Sequence, residues 1–574
     1  MITNPGGQTP LLAVPAGASW LRRHRLQLAA TGAALAIGAV SASAALLLLA
    51  KPVNTVESMV PATSDVLVLA NLDPSVAQKV NLARSLHRFP STKDDRAISD
   101  AIDNALQGTG LSYSSDLKPW LGGELGLSAR VNVDSTTDSS GVVYAVSRDD
   151  VKAKAFLSKL RTVGVGKTMQ WRDESYSGFT IASGTPNRST DKPAAYSYVN
   201  HIALIATSSA TIKEAIDTLQ GRGARLIDST NYTTTVAGLP SDRLGLVYVN
   251  GTSIVAGIRK QLARATTAST PIMGNIKDLD AFVGIGAALS AADNGIAADL
   301  LVKFDQSKLS PATRQALASA GRPDAILTWV PRGSEAVVAV GNLNRTVQTL
   351  VDASKSDPSI VASSNAFGLT GPGGILPHLT GGAALEAQVG SGVSPSGAIL
   401  LATDDAASLR TFFGKLLTSA SSVGTALIPG STGSQKPPST PAVRTATYRG
   451  TVITSLSVPQ SGLALLAPSY AVLDGVGIFG SNLASVTAVI DAHKGAETIA
   501  ADPSYKAAIA SSLRKPSLVA YVNVSSLIAG VRRLAASSAV PDKTLTAVAP
   551  IKAVMLTATS QSDQATERFF LVIN

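Results

Sequence analysis

The chain has 574 residues, 45% apolar and 15% charged, which is too long for one ordinary core and too apolar for a disordered chain. It has no cysteine, which excludes disulfides, thiolate nucleophiles, Cys-ligated zinc and lipid attachment at Cys. Four of the +10 formal charges (Arg22, Arg23, Arg25, Lys51) fall in an acid-free first 51 residues; the other +6 is diffuse, with no Lys/Arg run of the kind that binds nucleic acid.

Residues 1–25 are punctuated by Gly and Pro, show little periodicity and read as a disordered basic cytoplasmic tail. Residues 28–50, LAATGAALAIGAVSASAALLLLA, are 23 consecutive residues without a charge, enough for one helical crossing of a bilayer. Arg22, Arg23 and Arg25 before the span outweigh Lys51 after it. The positive-inside rule then puts the N-terminus in the cytoplasm and the body outside the cell membrane. The rival reading is a signal peptide cut at Ala42-Ser43-Ala44; four leucines follow directly and the apolar run exceeds an h-region, which favours an uncleaved anchor. Ala34, Gly38 and Ala42 share a face at four-residue spacing, a weak pointer to a homodimer that an Ala-rich span also produces by composition alone.

Beyond the anchor the chain repeats itself. MVPATSDVLVLANLD (59–73) resembles WVPRGSEAVVAVGNLN (329–344), and LKPWLGGELGLSARV (117–131) matches ILPHLTGGAALEAQV (375–389). SGVVYAVSRDDVKAKAFLSKL (140–160) matches SGAILLATDDAASLRTFFGKL (396–416), and VYVNGTSIVAGIRK (247–260) matches AYVNVSSLIAGVRR (520–533). The order is kept throughout, so one module is present twice, over 55–320 and 326–574, with the boundary expected between Phe304 and Thr328.

Within the first copy DVLVLANL, LGLSARV, GVVYAV, AAYSYV, HIALIA and LGLVYVN read as strands, and FVGIGAALS and IAADLLVKF as a strand pair. Ser208 or Ser209 is placed to cap a helix that buries Ile212, Ala215, Ile216 and Leu219 and stops at Gly221; Leu483, Val486, Ile490 and Gly495 repeat the pattern. A second helix is expected from Asp149 and again from Asp405, burying Phe156 or Phe412. Ser183–Pro193 and Pro429–Pro441 read as loops. Strands that neighbour one another as often as they alternate with helices predict an α+β fold: two tandem copies of a mixed, largely antiparallel sheet-plus-helices module after one N-terminal transmembrane helix.

The single span, PATSDVLVLANLDPS, and DLKPWLGGELGL together resemble the bacterial membrane-anchored family catalogued as domain of unknown function 3352, most sharply through Asp116-Leu117-Lys118-Pro119-Trp120-Leu121-Gly122. The second copy departs from that motif, with His378 in place of Trp120 and Thr380 ahead of Gly381-Gly382. The resemblance implies an envelope location and carries no known activity.

Chemistry is sparse. Gly475-Val-Gly477-Ile-Phe-Gly480 matches a dinucleotide turn, but its counterpart His201-Ile-Ala203-Leu-Ile-Ala206 is an ordinary strand, so the glycines are expected along a strand. Gly166-Lys167-Thr168 resembles the end of a phosphate loop whose earlier glycine is replaced by Arg161. His87, His201, His378 and His493 have no metal-ligand spacing, and Asp149-Asp150 and Asp404-Asp405 are explained as helix caps. No catalytic, cofactor or metal residue is assigned; the candidates for a ligand or partner contact are Trp120 and His378, with a buried anchor favoured for Trp120. The expected function is a single-pass envelope protein with an exported, duplicated, non-catalytic binding body, its partner an envelope protein, polymer or lipid. The alternative is an envelope hydrolase with dispersed catalytic residues.

Overall fold

The computed structural model describes residues 56–574 except 91–98, 101–102, 105, 132–138, 188–192, 265–275, 319, 346, 349–357, 367, 389–395, 427–441, 458–466 and 535–541. The expected anchor at 28–50 and the loop at 429–441 lie outside the described residues. Among those that are described, no helix is long and apolar enough to cross a membrane.

The first copy runs β1 (Val66–Asn71), α1 (Val76–Leu86), β2 (Leu121–Arg130), β3 (Ser140–Ser147), α2 (Asp150–Lys159), β4 (Met169–Tyr176), β5 (Phe179–Pro186), β6 (Ala194–Val199) and β7 (Ile202–Ala206). It continues with α3 (Ser209–Leu219), α4 (Thr230–Val236), β8 (Gly245–Asn250), α5 (Gly251–Arg264), β9 (Phe282–Ala292) and β10 (Gly295–Phe304). The second copy runs β11 (Ala336–Val340), β12 (Ala383–Gln388), β13 (Ser396–Ala402), α6 (Ala406–Ala426), β14 (Ala442–Tyr448), β15 (Thr451–Ser457), β16 (Ser469–Leu473) and β17 (Val476–Gly480). It ends with α7 (Leu483–His493), α8 (Pro503–Ala510), β18 (Leu518–Asn523), α9 (Val524–Leu534), β19 (Ile551–Gln561) and β20 (Gln564–Ile573). The fold is mixed α and β with antiparallel pairing.

The compact units do not follow the repeat. Among the described residues, one unit holds 56–74 and 99–226, and the other holds 75–90 and those from Ile227 on. The first unit contains a sheet of order β1-β2-β3-β7-β6-β5-β4, antiparallel throughout. The second unit repeats that order as β11-β12-β13-β17-β16-β15-β14 and extends it from β11 through β18, β19, β20, β10 and β9 to β8.

The extension carries its own symmetry. The hairpin β9–β10 corresponds to β19–β20 residue for residue, so Asp299 corresponds to Arg568. These two residues are also register partners where β10 meets β20. A local two-fold axis therefore passes between them. Identical residues would face each other there with like charge; instead Arg568 Nε lies 2.7 Å from Asp299 Oδ1 and Nη2 3.2 Å from Oδ2, with the Asp299 side chain 2% exposed. A bidentate pair of opposite charge ties the end of one copy to the end of the other.

Local chemistry explains the elements. Ser208 caps α3 by accepting from Thr211 N, and Asn482 caps α7 with a reciprocal bond from Ser485. Gly221 and Gly495 end those helices at positive φ (75° and 105°), where a side chain would be strained. The buried face of α7 is Val486, Val489 and Ile490; Leu483, expected on it, is 44% exposed because it opens the helix one turn short of the sheet contact. Asp149 and Asp405 cap α2 and α6 as expected. In α6 the core side chain is Phe413, 1% exposed, and its neighbour Phe412 lies at the side of the helix, half-buried. The segment read as a loop from Ser183 is strand as far as Pro186, since Ser183 and Gly184 pair with both β4 and β6.

Aromatic pairs repeat too. Tyr232 on α4 meets Tyr248 on β8 edge to face at 5.0 Å, and Tyr505 on α8 meets Tyr521 on β18 at 5.1 Å. Tyr176 donates to Asp217 at 2.9 Å, and Tyr448 to Asp491 at 2.9 Å. In the second unit the inner face of the sheet packs Val486, Val489 and Ile490 of α7 and Tyr505 of α8 against Leu400, Ile478, Tyr521 and Phe570.

Candidate functional site

Titratable groups come first. His201 Nδ1 lies 2.9 Å from Asp150 Oδ1, which also accepts from Tyr198 Oη at 2.7 Å. The bonds from His201 and Tyr198 hold the Asp150 carboxyl below its usual range. His378 Nδ1 lies 3.0 Å from Asp404, and His493 Nε2 lies 2.9 Å from Asp474 while its ring stacks on Trp329 at 3.5 Å. These three pairs were invisible in sequence, being 51, 26 and 19 residues apart. Among the described residues no hydroxyl is hydrogen-bonded to any of the three rings, so a base and its orienting acid are present without a paired nucleophile. Among the described residues no cluster of three or more His, Asp or Glu could hold a metal.

Glu386 on β12 is 0% exposed. Its Oε2 accepts from Ser334 Oγ at 2.9 Å and Gln388 Nε2 at 3.3 Å, and its Oε1 has no hydrogen-bond partner. Burial pushes this carboxyl up to about 7 against those two bonds.

The motif glycines do no phosphate chemistry here. Gly475 turns the β16–β17 hairpin at φ 77°, and Gly477 and Gly480 lie along β17. A Cβ on Gly166 would sit 1.8 Å from the Leu160 carbonyl oxygen, so that glycine is closed in by its own chain.

Trp120 is 1% exposed. Its Nε1 donates to the Asp116 carbonyl at 2.6 Å and its ring lies 5.2 Å from Phe156. That is the geometry of a turn anchor, with no face left for a ligand. His378 stands at the same turn of the second copy with its side chain 44% exposed.

The surface that stands apart is the outer face of the second unit's sheet. An antiparallel sheet usually shows water a polar face. Here the strands are apolar on both faces, as in AVVAV of β11 and SGAILLA of β13. Following the register across six strands, Phe569, Leu556, Ala520, Val338, Leu385 and Ile399 lie side by side in one row. Four of them are exposed: Phe569 42%, Val338 44%, Leu385 53% and Ile399 42%. Val247 and Leu300, each 37% exposed, belong to the next row, which Ala287 links by register. The row of six carries no charge; Glu567, in the next row beside Leu300, is the nearest one in register. At about 4.8 Å per strand the row is about 24 Å long. At its far end α6 closes the same face, packing Leu409 and Phe413 on Leu401 and Val472. Sequence reasoning missed this site because a continuous apolar run reads as a strand buried on both sides.

The chain belongs to the family described as Protein of unknown function (DUF3352), whose model matches residues 26–424 and again 382–564. No curated protein matches it. Two solved structures, crystal forms I and III of TP0453, each share 10% identity and a TM-score of 0.22; they cover 45% and 47% of this chain and 79% and 85% of their own. At that score the likeness carries no structural argument.

Proposed function

We propose that this chain, from a family without assigned activity, is a single-pass envelope protein whose exported body binds an apolar ligand non-catalytically on the outer sheet face of its second unit. The charge asymmetry about residues 28–50 supports the address: Arg22, Arg23 and Arg25 just before the span against Lys51 alone just after it. The tandem copies supply the body.

One observation carries the binding reading, the uncharged row from Phe569 to Ile399. Exposed side chains of this kind add nothing to the fold. Contiguous exposed apolar surface is a mark of an interaction site. Covering four half-exposed large side chains is worth about 1 kcal/mol each. The first copy keeps the same chemistry at the matching positions, Val68, Leu127 and Val143, side by side in register.

A photo-crosslinking phenylalanine analogue at Leu385 of the full chain, illuminated in the membranes of the expressing cell, tests this. Adducts of defined added mass are expected at 385 and not at Val443, which is 59% exposed on the edge strand β14. Equal labelling at the two positions contradicts the reading.

A further inference from the structure

The open face borders a second feature. In the second unit a half-open pocket of about 200 Å³ lies between the first turns of α6 and the 368–375 segment. Ile375 and Phe412 form its apolar part; Ser408, Thr411 and Lys415 form its polar part, and no acid lines it. Ser408 donates its proton to Asp405 and Thr411 donates to the Ala407 carbonyl, so Lys415 supplies the pocket's charge. Gly368 and Gly373 stand opposite at φ 74° and 72° and offer backbone without side chains. A Cβ on Gly368 would lie 3.0 Å from Lys415 Nζ, so the ammonium stands directly against this glycine on the pocket wall.

The pocket and the apolar row share one side of the sheet. Ile375 and Phe412 belong with the cluster that includes Ala383 and Leu401. Ala383 and Leu401 are two residues along β12 and β13 from Leu385 and Ile399, on the same face and about 7 Å away. Ala383 and Leu401 are themselves covered, 7% and 8% exposed, so the open uncharged row ends against the cluster whose outer wall bears the cationic pocket.

On the reading that the outer face is a binding surface, we propose that its occupant is an anionic phospholipid, with an acyl chain along the row from Ile399 towards Phe569 and the phosphate at Lys415. A protein partner would be expected to meet about one hydrogen-bonding group per 100–200 Å², and the row presents aliphatic side chains and one phenyl ring with strand backbones already paired. Its length of about 24 Å exceeds the half-thickness of a bilayer's hydrocarbon core, about 15 Å, which one acyl chain spans. A phosphodiester whose headgroup carries no cation of its own supplies the single net negative charge that Lys415 can pair, whereas a choline headgroup brings its own counter-charge.

The full chain is reconstituted in vesicles of equal phosphatidylglycerol and phosphatidylcholine, extracted in mild detergent, and its retained lipid counted by mass spectrometry. Wild type is expected to retain phosphatidylglycerol about fivefold over phosphatidylcholine. K415E should bring that ratio to one or below while lipid is still retained, and L385D/I399D should lose both lipids. A ratio unchanged in K415E, with L385D/I399D depleted, overturns the headgroup assignment and leaves the binding face standing. L385D/I399D retaining as much as wild type overturns the face itself. Lys415-dependent binding of inorganic phosphate with no lipid retained makes the pocket a free-anion site and also overturns the proposal.

Discussion

The same turn is built twice in this molecule, with different contents. In the first copy Trp120 fills it, its backbone N–H donating to Leu117 and its carbonyl accepting from Arg148. In the second, His378 makes the same backbone bonds, to Ile375 and from Asp404, but its ring points to solvent and to Asp404. The volume lost with the indole is taken up by Ile375, Leu376, Leu379 and the rings around Phe413, which lies 5.4 Å from Phe479 and 5.7 Å from Tyr470. A second contrast sits on the inner face. Ser128 and Tyr144 of the first copy share a buried hydrogen bond at 3.0 Å; the matching positions of the second hold Glu386 and Leu400. Duplication kept the backbone and let interiors drift, while the outer row stayed apolar in both copies. Interiors can drift because packing is judged by volume and satisfied polar groups. An exposed row gains nothing from being apolar unless something covers it.

The sharpest way to break the comparison is at the turn. Trp120→Ala should cost about 4 kcal/mol, as expected for a fully buried aromatic, and His378→Ala less than about 0.5 kcal/mol, as for an exposed pair. Denaturant unfolding read by hydrogen exchange in each unit would show it; equal costs would mean that the two turns are not built as described.

Next in size is the joint between copies. Asp299→Ala leaves Arg568 uncompensated in a buried setting and should cost about 3 kcal/mol. Asp299→Leu with Arg568→Met should recover most of that, because the pair sets the match of β10 to β20 more than it adds stability. A double variant as unstable as the single one would contradict this.

Glu386 separates the copies by pH. Its folded value of about 7 lies above the ordinary 4.5, so the folded state holds a proton that the unfolded state has released. Stability of the second unit should therefore fall as pH rises from 4.5 to 7, on the order of 2–3 kcal/mol, and level off above. Glu386→Gln should flatten that slope and leave the first unit unchanged, as urea midpoints at several pH values would reveal. Smallest is the feature the copies share: Tyr176→Phe and Tyr448→Phe should each cost about 1 kcal/mol, by the same assay, through loss of the bond to Asp217 or Asp491.

Much of this was legible in the residues. Period-two strands, Ser208 and Asp149 as caps, Gly221 and Gly495 as stops, and the repeat itself are local or self-comparing signals. The hairpins β4–β5 and β14–β15 were not named, because QWRDESY and VRTATY are largely exposed and lack a buried alternation. The burial of Phe413 in place of Phe412 is a choice of helix face by one residue, set by where the sheet lies. The His–Asp pairs and the open row depend on contacts across tens to hundreds of residues, and a run such as AVVAV does not say which of its faces will be left uncovered.

The most direct measurement is a map of where hydrocarbon touches the body. The full chain, reconstituted with a phospholipid carrying a photoactivatable diazirine on its acyl chain, is illuminated, digested and sequenced by mass spectrometry. The account predicts adducts on β11–β13 and around Phe569 in addition to residues 28–50, and their loss from the body in L385D/I399D. Adducts confined to residues 28–50 in the wild-type chain would contradict it.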